Sequence, residues 1–142
     1  MSLVEIRPIL ASDIDLYWPK VAPLLQKAID KSLGEFTIEH IHDLLIEAEK
    51  ALWVVFRDGE IIAAITTRID YYGYSNIRNV TIDFAGGNDF SDWSMFTDYI
   101  EPIYKELGCD NILIAGRLGW LRLHTDKGYK SVYHVIGKSL NG

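Results

Sequence analysis

Cysteine is nearly absent from this chain: Cys109 is the only one in 142 residues. A single cysteine excludes an intramolecular disulfide and favours a reducing, cytoplasmic setting. Nothing in the pattern sets an activating base beside it, so it reads as a small, partly buried residue rather than a nucleophile. Long apolar runs are missing as well. The longest, Ala51–Phe56 and Ile61–Ile65, fall far short of the roughly 20 residues a membrane-spanning helix needs. Met1–Glu5 carries no basic region or extended apolar segment, so a secretory leader is not expected. Positive charge is in deficit, with 14 Lys and Arg against 20 Asp and Glu and a net charge of −6. That balance argues against a broad nucleic-acid face. Metal-ligand spacing is lacking too: His40 and His42, two apart on a helix, point in different directions. Without repeats, low-complexity tracts or a linker, residues 1–142 read as a single domain.

What is present is periodic. Leu3–Pro8 has the alternation of a short strand, ended by a proline that supplies no N–H. Pro19 and Pro23 argue for a turn to Trp18 followed by a helix from Pro19 to Lys31, with proline in its first turn. Val21, Leu24, Leu25 and Ala28 form its apolar stripe. Thr37 is placed to cap a second helix reaching about Lys50, with Ile41, Leu44, Leu45 and Ala48 at helical spacing. Ala51–Phe56 and Glu60–Tyr72 read as a hairpin, because Asp58-Gly59 suits a two-residue turn with positive φ at both positions. Tyr71, Tyr72 and Tyr74 crowd the far end of its second arm as a polar-tipped rim.

The stretch Asn79–Tyr129 organises the remainder as a βαβα unit. Strand Asn79–Phe84 places Val80, Ile82 and Phe84 on one face and Thr81 and Asp83 on the other. Ala85-Gly86-Gly87-Asn88 reads as a break, since consecutive glycines open backbone angles that other residues resist. Ser91 or Asp92 caps a helix to Leu107, kinked near Asp98 by Pro102. Gly108 ends it, Asn111–Ala115 makes a second strand, Gly119–Lys127 a short helix and Lys130–Leu140 a last strand. Ligands in such units gather at the carboxyl ends of the strands, beside a helix N-terminus. Asp83 to Asp89 is therefore the first place to look.

The order β–α–α–β–β–β–α–β–α–β, with Gly128-Tyr129 before the last strand, resembles the Gcn5-related N-acetyltransferase (GNAT) superfamily. The resemblance implies an α/β (α+β) domain built on a mixed, mostly antiparallel central sheet flanked by helices. It also implies acetyl-CoA as cofactor, bound along Ile82, Asp83, Phe84, Gly86, Gly87 and Asn88, with Arg117 reaching a phosphate or a carboxylate. Asp83 would be the general base and His124, four residues before Gly128, the general acid; a small-molecule or protein amine would be the acceptor. The family loop Q/R-x-x-G-x-G/A keeps two glycines here but no basic residue, since no Lys or Arg lies between Asn79 and Lys105. Asp89 and Asp92 add negative charge where an anionic pyrophosphate would lie. Gly116-Arg117-x-Gly119-Trp120 with Gly128-Tyr129 is similar to a narrower branch, the acetyltransferase-like proteins of tailed phages and prophages. That branch implies a second outcome: a catalytically inactive protein acting in virion structure or host-protein binding. A homodimer fits either outcome, and neither calls for nucleic acid or membrane.

Overall fold

The computed structural model describes residues 3–88, 93–116 and 122–141. Five strands form one sheet in the order β1 (Val4–Ile9), β2 (Ala51–Arg57), β3 (Glu60–Tyr72), β4 (Ile77–Gly87) and β5 (Asn111–Ile114). The first four are an antiparallel meander, and β5 joins β4 in parallel. The longer helices among the described residues are α1 (Ile14–Ile29), α2 (Ile38–Ile46) and α3 (Phe96–Glu106). Asp58 and Gly59 both have positive φ at the β2–β3 turn, as the dipeptide predicts.

The strands alternate strictly enough to feed two cores. Leu52, Val54 and Ala64 meet Val21, Leu24, Leu25, Ile29, Ile41 and Leu45 on the α1/α2 face. Trp53, Val55, Ile65, Val80 and Ile82 meet Phe96, Ile100 and Tyr104 on the α3 face. Each Val, Leu, Ile or Phe among them contributes about 1.5–3 kcal/mol through burial. The α3 face also holds a buried polar link. Trp53 Nε1 donates to the Tyr104 hydroxyl at 3.0 Å, and the Tyr104 and Thr67 hydroxyls share a bond of 2.5 Å.

Four sequence expectations are corrected. Pro19 and Pro23 lie inside one helix that starts at Ile14. Both are exposed, so the carbonyls that lose a helical partner face water, which satisfies them. The second helix stops at Ile46; the Glu49 and Lys50 N–H groups turn back to the Leu44 carbonyl, and Ala48 takes φ 60°. The glycines do not break β4. They continue it, pairing with Ala64 and Ala63 of β3. A Cβ on Gly86 would stand 1.9 Å from the Leu24 carbonyl oxygen of α1, and one on Gly87 2.6 Å from the Ala63 Cβ, so close packing rather than a turn demands them. Finally, residues 131–139 form no paired strand. Val135 and Ile136 are about nine-tenths exposed there (87 % and 93 %). The segment borders a cavity of about 910 Å³ with Ile112–Ile114 of β5 and the following Ala115, instead of pairing with that edge. The third helix begins at Phe96, and the Ser91/Asp92 cap lies outside the described residues.

Candidate functional site

β4 and β5 are in register from Asn79 and Asn111 to Ile82 and Ile114. The Ala115 N–H closes the ladder on the Ile82 carbonyl at 3.0 Å. Beyond that point β4 runs on to Gly87 with β3 as its only partner among the described residues. Asn88 donates its N–H to the Ile62 carbonyl on the β3 side. By strand alternation, the N–H and C=O of Ala85 and Gly87 then face the opening. Among the described residues no strand pairs with that side of β4 beyond Ile82, which leaves an edge suited to extended amides.

The parting begins at a bulge. Thr67 pairs with Ile82 and Thr66 with Phe84, so Asp83 is an extra residue without a partner. Bulges re-aim side chains. Here the result overturns the predicted alternation: Ile82 belongs to the α3-face core, whereas Phe84 belongs to the α1/α2-face core. Asp83 turns toward the same side as Phe84. Its carboxylate is 4 % exposed and bonded to the equally buried Lys50 ammonium. Thr66 Oγ1 donates to Asp83 Oδ1 at 2.5 Å, and Arg68 reaches Oδ2 at 3.4 Å while bonding Asp70 at 3.1 Å. Lys50 Nζ lies 5.2 Å from the Phe36 ring centre and 5.5 Å from that of Phe84. The two rings meet edge to face at 5.6 Å. Asp83 is therefore a buried, charge-paired residue rather than an exposed strand end.

His124 is also buried, 1 % exposed, with its ring edge-on to Tyr129 at 5.4 Å. The Tyr129 hydroxyl donates to Glu101 at 3.0 Å, and burial together with that carboxylate pushes its pKa upward. Burial raises the Cys109 thiol as well, against a smaller lowering by Arg78, which suits an unreactive side chain. His124 and Asp83 thus belong to different clusters. Gly86 and Gly87 lie on the strand, packed against α1 and β3. The Asn88 side chain accepts from Lys27 Nζ at 3.0 Å, and its carbonyl accepts from Trp93 Nε1 at 3.0 Å. Arg117, Asp89 and Asp92 lie outside the described residues.

Two residues escape a reading of the sequence. Lys50 sits 33 positions from Asp83, at what reads as the end of a helix. Lys27 lies 61 positions before Asn88, yet α1 delivers its ammonium to the end of β4. Neither carries a local signal. Among the described residues no group of three or more His, Cys, Asp or Glu side chains could hold a metal ion. No helix there is long and apolar enough to cross a membrane.

No family model matches the chain, and no curated protein matches it by sequence. Solved structures do match in three dimensions. The ribosomal-protein-alanine N-acetyltransferase of Brucella melitensis biovar Abortus 2308 superposes with a TM-score of 0.69 at 12 % identity, over 97 % of this chain and 99 % of that one. Glucosamine-6-phosphate N-acetyltransferase from Arabidopsis thaliana gives 0.68 at 15 % identity over 97 % and 99 %. An aminoglycoside N-acetyltransferase in complex with CoA gives 0.68 at 13 % identity over 98 % and 95 %. At these identities the likeness establishes the fold: a mixed α/β GNAT fold over nearly the whole chain.

Proposed function

We propose that the protein is an acyl-CoA-dependent N-acetyltransferase-like protein with a degenerate pyrophosphate loop. The parting of β4 and β5 beyond Ile82 is the observation that carries this reading. The backbone groups of Ala85 and Gly87, on the side of β4 that no described strand pairs there, fit the amides of a pantetheine arm, which would lie along them as an added strand. The cofactor would supply the acyl group as a thioester. This chain's own residues would position it and manage protons. Lys27, held beside Asn88, would give the cofactor's phosphates the cation that the loop sequence lacks. Asp83 would take the proton of an acceptor amine and His124 would donate to the departing thiolate; Arg117 would add a second phosphate contact. The acceptor would be a small-molecule or protein amine. Aminoglycoside acetyltransferase from an uncultured soil metagenomic sample, solved with sisomicin and similar in fold at a TM-score of 0.66, supports the small-molecule class.

Calorimetric titration with acetyl-CoA and CoA tests the reading. Binding is expected, weakened about 10-fold by Lys27→Glu, equivalent to one charge-assisted contact. Asp83→Asn and His124→Ala are each expected to cut turnover by ~10²-fold as losses of a general base and acid.

The buried Lys50–Asp83 pair also favours a second reading, since it occupies the candidate base. In that case the fold is kept for binding, in a phage or prophage protein of the virion or one that engages a host protein. The exposed Tyr71, Tyr72 and Tyr74 would offer its contact surface. Absence of CoA binding at millimolar ligand decides for this second reading.

A further inference from the structure

Burying an ammonium is costly unless a carboxylate and further polar groups meet it, and a well-packed apolar residue of similar volume often does as well for stability. Lys50 is nonetheless buried, and its surroundings are those that recognise a primary alkylammonium. Asp83 supplies the countercharge, while the faces of Phe36 and Phe84 lie within the ~6 Å over which a ring attracts a cation. Thr66 holds the other carboxylate oxygen in place. One wall is open to rearrangement. Phe36 is only half-buried and belongs to the loop between α1 and α2, where Leu33 is 92 % exposed and Gly34 takes φ +88°.

We propose that Asp83, Phe36 and Phe84 form a subsite for a primary ammonium group, filled in the resting protein by its own Lys50. An incoming amine enters by displacing Lys50, which acts as a built-in competitor. The cage stands on the geometry alone; its use by an acetyl acceptor rests on the acetyltransferase reading. Within that reading the displacement has a purpose. The carboxylate that holds the ammonium is the group adjacent to its proton, so binding and deprotonation use one residue. Arg68 does not serve as the occupant: it is nearer to Asp70, and its side chain is 41 % exposed.

The test removes the occupant and supplies a substitute. Lys50→Ala in the full chain should lose thermal stability and regain it with n-butylammonium chloride, the recovery saturating with concentration. n-Butanol, which has the same stem without the charge, should give little recovery. The double variant Lys50→Ala/Asp83→Asn should not distinguish the two compounds. In the wild type, where Lys50 competes for the cage, the same shift should require a much higher butylammonium concentration than in Lys50→Ala. If Lys50→Ala does not fold unaided, refolding it in the presence of butylammonium or butanol gives the same comparison. Equal recovery with both compounds, or with neither, overturns the cage. So does selective recovery that persists without the Asp83 charge. Arg68 swinging onto Asp83 would also abolish recovery and overturn it. Calorimetry with CoA on the wild type separates the two levels. If CoA binds and butylammonium does not rescue, the cage alone fails. If butylammonium rescues and CoA does not bind, the acetyltransferase reading alone fails.

Discussion

His42 shows how a single side chain can look idle in the sequence and yet tie elements together. Its Nε2 lies 2.6 Å from Asp15 of α1 and its Nδ1 3.4 Å from Asp43. The Asp15 hydrogen bond raises its pKa, outweighing a smaller opposing effect of burial. A raised folded value stabilises the fold below the unfolded value near 6.5, and the gain disappears as pH rises through the folded value. The thermal midpoint of the wild type should therefore exceed that of His42→Gln at pH 5.5, with the gap closing toward pH 8. Asp15 is 77 % exposed, so the effect is small and shrinks with salt. Equal gaps at both pH values would refute it. The sequence marks His42 as a solvated helix residue, because its partner lies 27 positions away. Lys50 and Lys27 were hidden for the same reason: charge pairing across elements leaves no periodic trace.

At the scale of elements, alternation and turn chemistry made the β2–β3 hairpin legible. The edges were not, because neighbours set them. β4 is the clearest case. Its two glycines look like punctuation, but α1 and β3 approach so closely that side chains are excluded. Gly86→Ala should force α1 away from the sheet at Leu24 and cost about 3 kcal/mol, the upper part of the usual range for overpacking. Denaturant unfolding measures it. A cost below about 0.5 kcal/mol, the level of an ordinary surface substitution, would mean the helix shifts freely. The proline helix teaches the complementary point. Whether proline breaks a helix depends on which face it occupies, and sequence spacing alone does not tell which face meets water.

For the whole molecule, the fold class was readable from element order. The two-sided character of the sheet explains why. β2 and β3 donate alternate residues to both cores, so neither face can unfold while the other stays intact. Leu25→Ala on one side and Ile100→Ala on the other should each cost about 2–5 kcal/mol as cavities in a packed core. Both should unfold in a single transition seen alike by circular dichroism and tryptophan fluorescence. Two separated transitions would show that the faces are independent. The last segment was the whole-molecule failure: residues 131–139 carry a strand pattern, but a pattern states only which face would be buried if a partner strand were present.

The bulge in β4 has one further consequence. Because Thr67 faces Ile82 and Thr66 faces Phe84, the pairing already skips Asp83. Excising that residue would leave β3 and β4 in register and every later side chain on its present face. Asp83 is thus a dispensable insertion as far as the sheet is concerned, and what it adds is a buried carboxylate that pairs with Lys50. A chain lacking Asp83 and carrying Lys50→Met should fold with a straight fourth strand, whereas deletion of Asp83 alone would strand an ammonium in the core. A shortened chain of that kind would be the sheet without its insertion, the scaffold from which the site can be taken away.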